Sequence, residues 1–112
     1  MTNGMQTIIY PVKDLDRAKL LYGALFGAPV MDESYYVGYR IADQDVGLDP
    51  NGHNQGMSGP IDYWHVDDIA ASLEALVDSG AEVQRPASDV GGGKLVASVK
   101  DADGNIIGLI QS

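Results

Sequence analysis

The sequence predicts an α+β fold in which one β-α-β-β-β module occurs twice in tandem. Three observations carry this. Strand-like and helix-like segments follow the same order in each half of the chain. The halves meet at a polar Gly/Pro/Asn stretch near the middle of the 112 residues. Short motifs also recur between the halves in register, as expected of an internal repeat.

The first half opens with residues 5–12, rich in Ile, Tyr, Val and Thr, which read as a strand. Asp14 is placed to cap a helix whose stripe is Leu15, Ala18, Leu21, Tyr22, Leu25 and Phe26. Gly27 and Pro29 stop it. Three short strands follow, near 30–33, at Tyr35 to Ile41 and at Asp45 to Asp49, the last two joined by a turn at Ala42-Asp43-Gln44. Residues 51–60, following Pro50, form the polar stretch between the halves.

The pattern then restarts. Ile61 to Val66 reads as a strand, and Asp68 caps a helix with the stripe Ile69, Leu73, Leu76 and Val77, ended by Gly80. Strands are expected near 81–85, at Leu95 to Val99 and at Ile106 to Ile110, with Asp103-Gly104-Asn105 turning the chain between the last two. The halves overlay directly. Tyr10-Pro11-Val12-Lys13-Asp14-Leu15 matches Trp64-His65-Val66-Asp67-Asp68-Ile69 at an offset of 54, and Val46-Gly47-Leu48 matches Ile107-Gly108-Leu109 at an offset of 61.

One such module leaves a sheet face bare, because its helix covers only the other. Two modules paired about a pseudo-dyad would bring those bare faces into a curved mixed sheet with a central cup, a natural place for a small molecule. The expected organisation is a single domain over 1–112, with module one at about 5–50, a linker at about 51–60 and module two at about 61–112.

Composition narrows the function classes. A net charge of −9, with seven basic against sixteen acidic residues, argues against nucleic acid and against an anionic membrane surface. With no cysteine, disulfides, thiolate metal sites and a cysteine nucleophile are excluded. No apolar run approaches the roughly 20 residues that span a bilayer. The opening Met1-Thr2-Asn3-Gly4 lacks the pattern of a signal peptide, so the expected location is the cytoplasm.

The run Tyr10-Pro11-Val12-Lys13-Asp14-Leu15-Asp16-Arg17-Ala18, followed by Tyr22 and Leu25-Phe26-Gly27, resembles the opening helix of vicinal oxygen chelate proteins, the glyoxalase, bleomycin-resistance and dioxygenase superfamily. The closing Asp101-Ala102-Asp103-Gly104-Asn105-Ile106-Ile107-Gly108-Leu109 resembles that superfamily's D-P-D-G-N-x-x-E-L ending. Members with metal chemistry supply His from the first strand of each module and Glu from the last. The resemblance puts those four positions at Thr7, Gly47, Ile61 and Gly108. A lone Thr hydroxyl is a weak ligand, and Gly and Ile have no side-chain donor, so no metal and no cofactor is expected.

The resemblance then implies the metal-free, ligand-sequestering branch, with homodimers common among its short members. The expected function is metal-independent binding of an aromatic or drug-like small molecule. The alternative is a glyoxalase-type lyase or isomerase, or a dioxygenase-related enzyme, using His65 and Asp49 or a metal site at unorthodox positions.

Alternation along the strands places Ile61, Tyr63 and His65 on one face, Asp49 with Gly47, and Ile9 and Pro11 with Thr7. The candidate ligand-binding residues are Thr7, Tyr36, Tyr39, Gly47, Asp49, Tyr63, His65 and Gly108, and the candidate catalytic pair is His65 with Asp49. His65 could do acid/base work or hydrogen-bond a ligand, or it is a strand-end histidine bonded to nearby backbone. Asp49 could receive a ligand donor, or it is a turn carboxylate ahead of Pro50. Glycine at 47 and 108 marks close approach of a ligand, or makes room for neighbouring aromatics among Tyr35, Tyr36, Tyr39, Tyr63 and Trp64. His53, among glycines and asparagines, reads as a solvated loop residue. Gly91-Gly92-Gly93-Lys94 lacks the P-loop spacing; it is a loop between strands that could act as a flexible lid.

Overall fold

The computed structural model describes residues 2–112. The elements run β1 (Thr2–Pro11), α1 (Leu15–Phe26), β2 (Met31–Glu33), β3 (Tyr36–Ile41), β4 (Gln44–Asp49), β5 (Ile61–Val66), α2 (Ile69–Asp78), β6 (Glu82–Asp89), β7 (Leu95–Lys100) and β8 (Ile106–Gln111). Each half thus has the order strand, helix, strand, strand, strand, an α+β arrangement. The chain forms two compact units, Gln6–Ile61 and Asp62–Ser112, the second taking in residues 2–5.

In the first unit the strand order is β2-β3-β4-β1, with β1 parallel to β4 and the other pairs antiparallel. Asp14 caps α1, its Oδ1 accepting the Arg17 backbone N–H at 3.1 Å. The helix lays Leu15, Ala18, Tyr22 and Phe26 on Ile8, Tyr10, Val37, Tyr39, Val46 and Leu48. Four rings run through this core, with centroids 5.0 Å apart for Tyr10–Tyr22, 6.0 Å for Tyr22–Phe26 and 5.4 Å for Phe26–Tyr39.

Leu21 and Leu25, expected in the buried stripe, are 70% and 78% exposed. Each precedes Tyr22 or Phe26 by one residue and so lies about 100° round the helix from the row that meets the sheet. The β3–β4 hairpin turns through Ala42 and Asp43 alone, since Ile41 already pairs with Gln44. Ala42 carries a φ of 53°, a left-handed conformation unusual for a residue with a Cβ.

The segment between the modules carries local structure of its own. His53–Gln55 form a single 3-10 turn, and Met57 buries its side chain and donates its backbone N–H to the Gly52 carbonyl at 3.0 Å. Glycine is required at 52, because a Cβ there would meet Pro11 Cβ at 2.7 Å and Met57 Sδ at 2.9 Å.

In the second unit the order is β5-β8-β7-β6, with β5 parallel to β8. Asp68 caps α2 through Ala71 N–H at 3.1 Å, and Gln111 Oε1 accepts the Ile69 N–H at 2.7 Å. The core joins Ile69, Leu73 and Leu76 of α2 to Trp64, Val66, Leu95, Ala97 and Leu109. Strand β6 is longer than the sequence suggests. It tolerates Pro86 because it lies at the end of the strand order and is broken by register shifts after Val83 and Arg85.

The repeat holds at the level of strand register. Ile9 opposes Gly47 and Tyr10 opposes Leu48, while Tyr63 opposes Gly108 and Trp64 opposes Leu109. The offsets of 54 and 61 read from the sequence carry the first pair of registers onto the second. The turn before β8 is built on Asp101, which accepts N–H groups of Asp103 at 2.9 Å and Asn105 at 2.8 Å. Those bonds, with the Asn105 side-chain amide first among them, hold the Asp101 carboxyl below its ordinary range. No helix among the described residues is long and apolar enough to cross a membrane.

Candidate functional site

The residues singled out by the sequence lie mainly on the sheet faces that the helices leave uncovered. In the first unit Val46 and Leu48 of β4 point into the α1 core, so Asp45, Gly47 and Asp49 point to the opposite side. Thr7 and Ile9 share that side through their pairing with Asp45 and Gly47. Tyr36, at the start of β3, lies across Gly47. A Cβ built at Gly47 would fall within 2.4 Å of Tyr36 Cζ and 2.8 Å of its Cε1, closer still to the hydroxyl. The ring occupies the space a side chain at 47 would need.

The second unit repeats the device with a different strand supplying the ring. Leu109 points to α2, so Gly108 faces the other way, as do Tyr63 and His65 of β5. A Cβ at Gly108 would stand 2.6 Å from Tyr63 Cδ1 and 2.9 Å from the Asp62 carbonyl oxygen. Ser98, which pairs with Gly108, is buried on this face, and its hydroxyl donates to Gln84 Oε1. Ser98 and Gln84 escaped the sequence reading. The signal was a lone hydroxyl in the apolar run Leu95-Val96-Ala97-Ser98-Val99.

The remaining candidates divide. Asp49 is held as a turn carboxylate, with Oδ1 accepting the Asn51 N–H at 2.8 Å while its carbonyl receives Val12 N–H at 3.0 Å. His65 is half-buried at the end of β5, and its carbonyl accepts the Thr2 hydroxyl at 2.7 Å. Tyr39 lies apart from the Gly47 face. It pairs with Val46 and is buried against Phe26 in the α1 core, where burial raises its phenol above the ordinary value of 10.0. Strand parity accounts for this: Tyr36 and Tyr39 are three residues apart and so project to opposite faces.

The Gly91–Gly93 loop is a closed turn between β6 and β7. Val90 N–H bonds Lys94 O at 3.0 Å, and Asp89 Oδ1 accepts Gly91 N–H at 2.7 Å. His53 is exposed in the 3-10 turn.

The four positions at which the resemblance implies a divalent metal do not fit one. Ile61 is 2% exposed and has no donor, Thr7 offers one hydroxyl, and Tyr36 and Tyr63 fill the places where carboxylates would start. Among the described residues no three His, Asp or Glu side chains gather as a possible metal cage.

A family model described as Glyoxalase/Bleomycin resistance protein/Dioxygenase superfamily matches residues 4–109. The chain belongs to this superfamily. Among curated relatives, a Brassica oleracea var. gemmifera protein provisionally named as a lactoylglutathione lyase is 29% identical, aligned over 93% of this chain. The chain spans 43% of that relative's length.

Solved structures of the same fold include methylmalonyl-CoA epimerase from Mycobacterium tuberculosis, with a TM-score of 0.74, 18% identity and coverage of 98% of this chain and 88% of that one. A superfamily member from Vibrio splendidus 12B01 superposes with a TM-score of 0.73 at 16% identity, covering 96% and 97% of the two chains. This superfamily member thus keeps the fold, with Thr7, Ile61 and the ring-covered Gly47 and Gly108 at the positions where the sequence resemblance implies metal ligands.

Proposed function

We propose that this superfamily member binds an uncharged or cationic aromatic small molecule without a metal, on the helix-free sheet face of a unit: Thr7, Tyr36, Gly47 and Asp49 in the first unit, and Tyr63, His65 and Gly108 in the second. One observation supports the reading: Tyr36 and Tyr63 stand over Gly47 and Gly108, the two positions at which the resemblance implies carboxylate ligands. Tyr36 is half-buried and gives a flat apolar surface backed by a sheet with a hydroxyl at its edge, a combination suited to aromatic ligands, while Tyr63 is buried. The net charge of −9 disfavours anions. The functional unit is a homodimer, to be checked by light scattering, and its setting the cytoplasm.

The test is elemental analysis of the purified protein, paired with thermal-shift titrations of Zn²⁺, Ni²⁺ and Mn²⁺ and of an aromatic compound library. The expected result is no stoichiometric metal, no metal-dependent rise in melting temperature, and rises with uncharged or cationic aromatic compounds that Tyr36→Ala or Tyr63→Ala reduces. Stoichiometric metal, or hits confined to anions, overturns the reading.

A second reading rests on the Brassica relative's name: a lyase or isomerase in which His65 of the second unit or Asp49 of the first moves a proton. It predicts turnover of the hemithioacetal of methylglyoxal and glutathione, lost in His65→Ala at unchanged melting temperature. Absence of turnover in the wild-type protein rules that reading out.

A further inference from the structure

A separate feature lies on the α2 side of the second unit, on the sheet face away from Tyr63 and Gly108. Between α2 and the strands runs an open apolar groove of about 580 Å³. Its floor is Trp64, Val66 and Leu109, and α2 contributes Ala75 and Leu76. The volume lies within the range of small-ligand sites. Polar groups are confined to a few points, Thr2, Asp62 and Ser72 among them.

The chemistry of the groove is specific at one end. Trp64 Nε1 donates to Asp62 Oδ2 at 2.8 Å, which fixes an indole and a carboxylate side by side. A carboxylate has two oxygens and about four acceptor sites, so one N–H leaves capacity for a further donor. An indole beside a carboxylate is a recognition pair for an organic cation, by attraction to the ring and by charge-assisted hydrogen bonding. The apolar remainder suits the cation's hydrocarbon body.

We propose that this groove is a second small-molecule site, taking a small aromatic ammonium compound with its cationic head at Asp62 and its ring against Trp64, Leu76 and Leu109. It is independent of the ligand proposed for the tyrosine-covered faces, because its residues lie on the other side of the sheet.

Trp64 is the only tryptophan in the chain, so its emission reports directly on the groove. The experiment titrates the intact protein with benzyltrimethylammonium and phenethylammonium, with benzyl alcohol as neutral probe and phenylacetate as anionic probe. Saturable change in emission is expected for the two cations, weaker for the alcohol and absent for the anion. Asp62→Asn should weaken cation binding roughly tenfold while keeping an acceptor for the indole. Ala75→Phe, at an exposed helix position, should fill the groove and abolish the response at an unchanged melting temperature.

Non-saturable quenching equal to that of free N-acetyltryptophanamide overturns the proposal, as does binding unaffected by both variants. Tyr63→Phe and Tyr36→Phe should leave the titration unchanged. If they abolish it, the cation binds at the tyrosine faces and the groove is not its site.

Discussion

Substituting Gly47 by Ala tests the closure of the first unit's open face. The added methyl would fall within 2.4 Å of Tyr36 Cζ, so the tyrosine must leave its place or β4 must shift. Overpacking of this kind costs about 1–3 kcal/mol. The upper half of that range applies here, because the obstacle is a rigid ring with only two side-chain torsions, so we expect a loss of about 2 kcal/mol. For a chain of 112 residues, 1 kcal/mol corresponds to about 4 °C in melting temperature, which puts the drop at roughly 8 °C.

The control is the same substitution in a Tyr36→Ala background. There the clash is gone, and replacing a strand glycine gains about 0.5–1 kcal/mol of backbone entropy. A double-mutant cycle by chemical denaturation should therefore return a coupling of about 2.5–3 kcal/mol between the two positions. Equal costs of Gly47→Ala in the two backgrounds would refute the argument that Tyr36 closes this position.

Other outcomes follow from single positions. Gly23 sits inside α1, and a Cβ there meets only Tyr39 Oη at 3.8 Å, an ordinary contact. Gly23→Ala should therefore stabilise by about 0.5–1 kcal/mol, read as a melting temperature higher by a few degrees. The lowered Asp101 carboxyl stabilises the fold at pH above its ordinary value of 3.8, and that contribution disappears as pH falls through the lower folded value. Asp101→Asn should thus melt earlier than wild type at neutral pH, the difference narrowing below pH 4; a constant difference would remove Asp101 from the acid limb.

Tyr39 works in the opposite direction. Its phenol is raised by burial, so its contribution is complete below pH 10.0 and is lost as pH rises through the folded value. Tyr39→Phe should flatten that alkaline limb in a melting-temperature profile.

Much of the architecture was legible in the sequence because local chemistry dictates it. Asp14 and Asp68 announced the two helices, since a carboxylate followed by a helical stripe satisfies orphan backbone donors wherever the helix later packs. The repeat offsets announced that the two halves are equivalent, and the structure gives Gly47 and Gly108 matching registers. That Gly47, Ile61 and Gly108 have no side-chain donor and Thr7 only a hydroxyl was likewise a matter of residue identity alone.

Tertiary structure decided what local pattern leaves open. Leu21 and Leu25 share a helical stripe with Tyr22 and Phe26, yet only the aromatic row meets the sheet, a choice set by how the helix is rotated on its neighbours. Tyr36 and Tyr39 looked interchangeable as ligand contacts until strand parity and packing sent one over Gly47 and the other into the α1 core. The glycines themselves were ambiguous between ligand approach and aromatic filling. That question turned on two rings, one from β3 and one from β5, whose positions follow from cross-strand register and side-chain torsions. A sequence determines which groups are present and which local turns they favour; which ring comes to lie on which glycine is fixed only when distant strands pack at van der Waals distance.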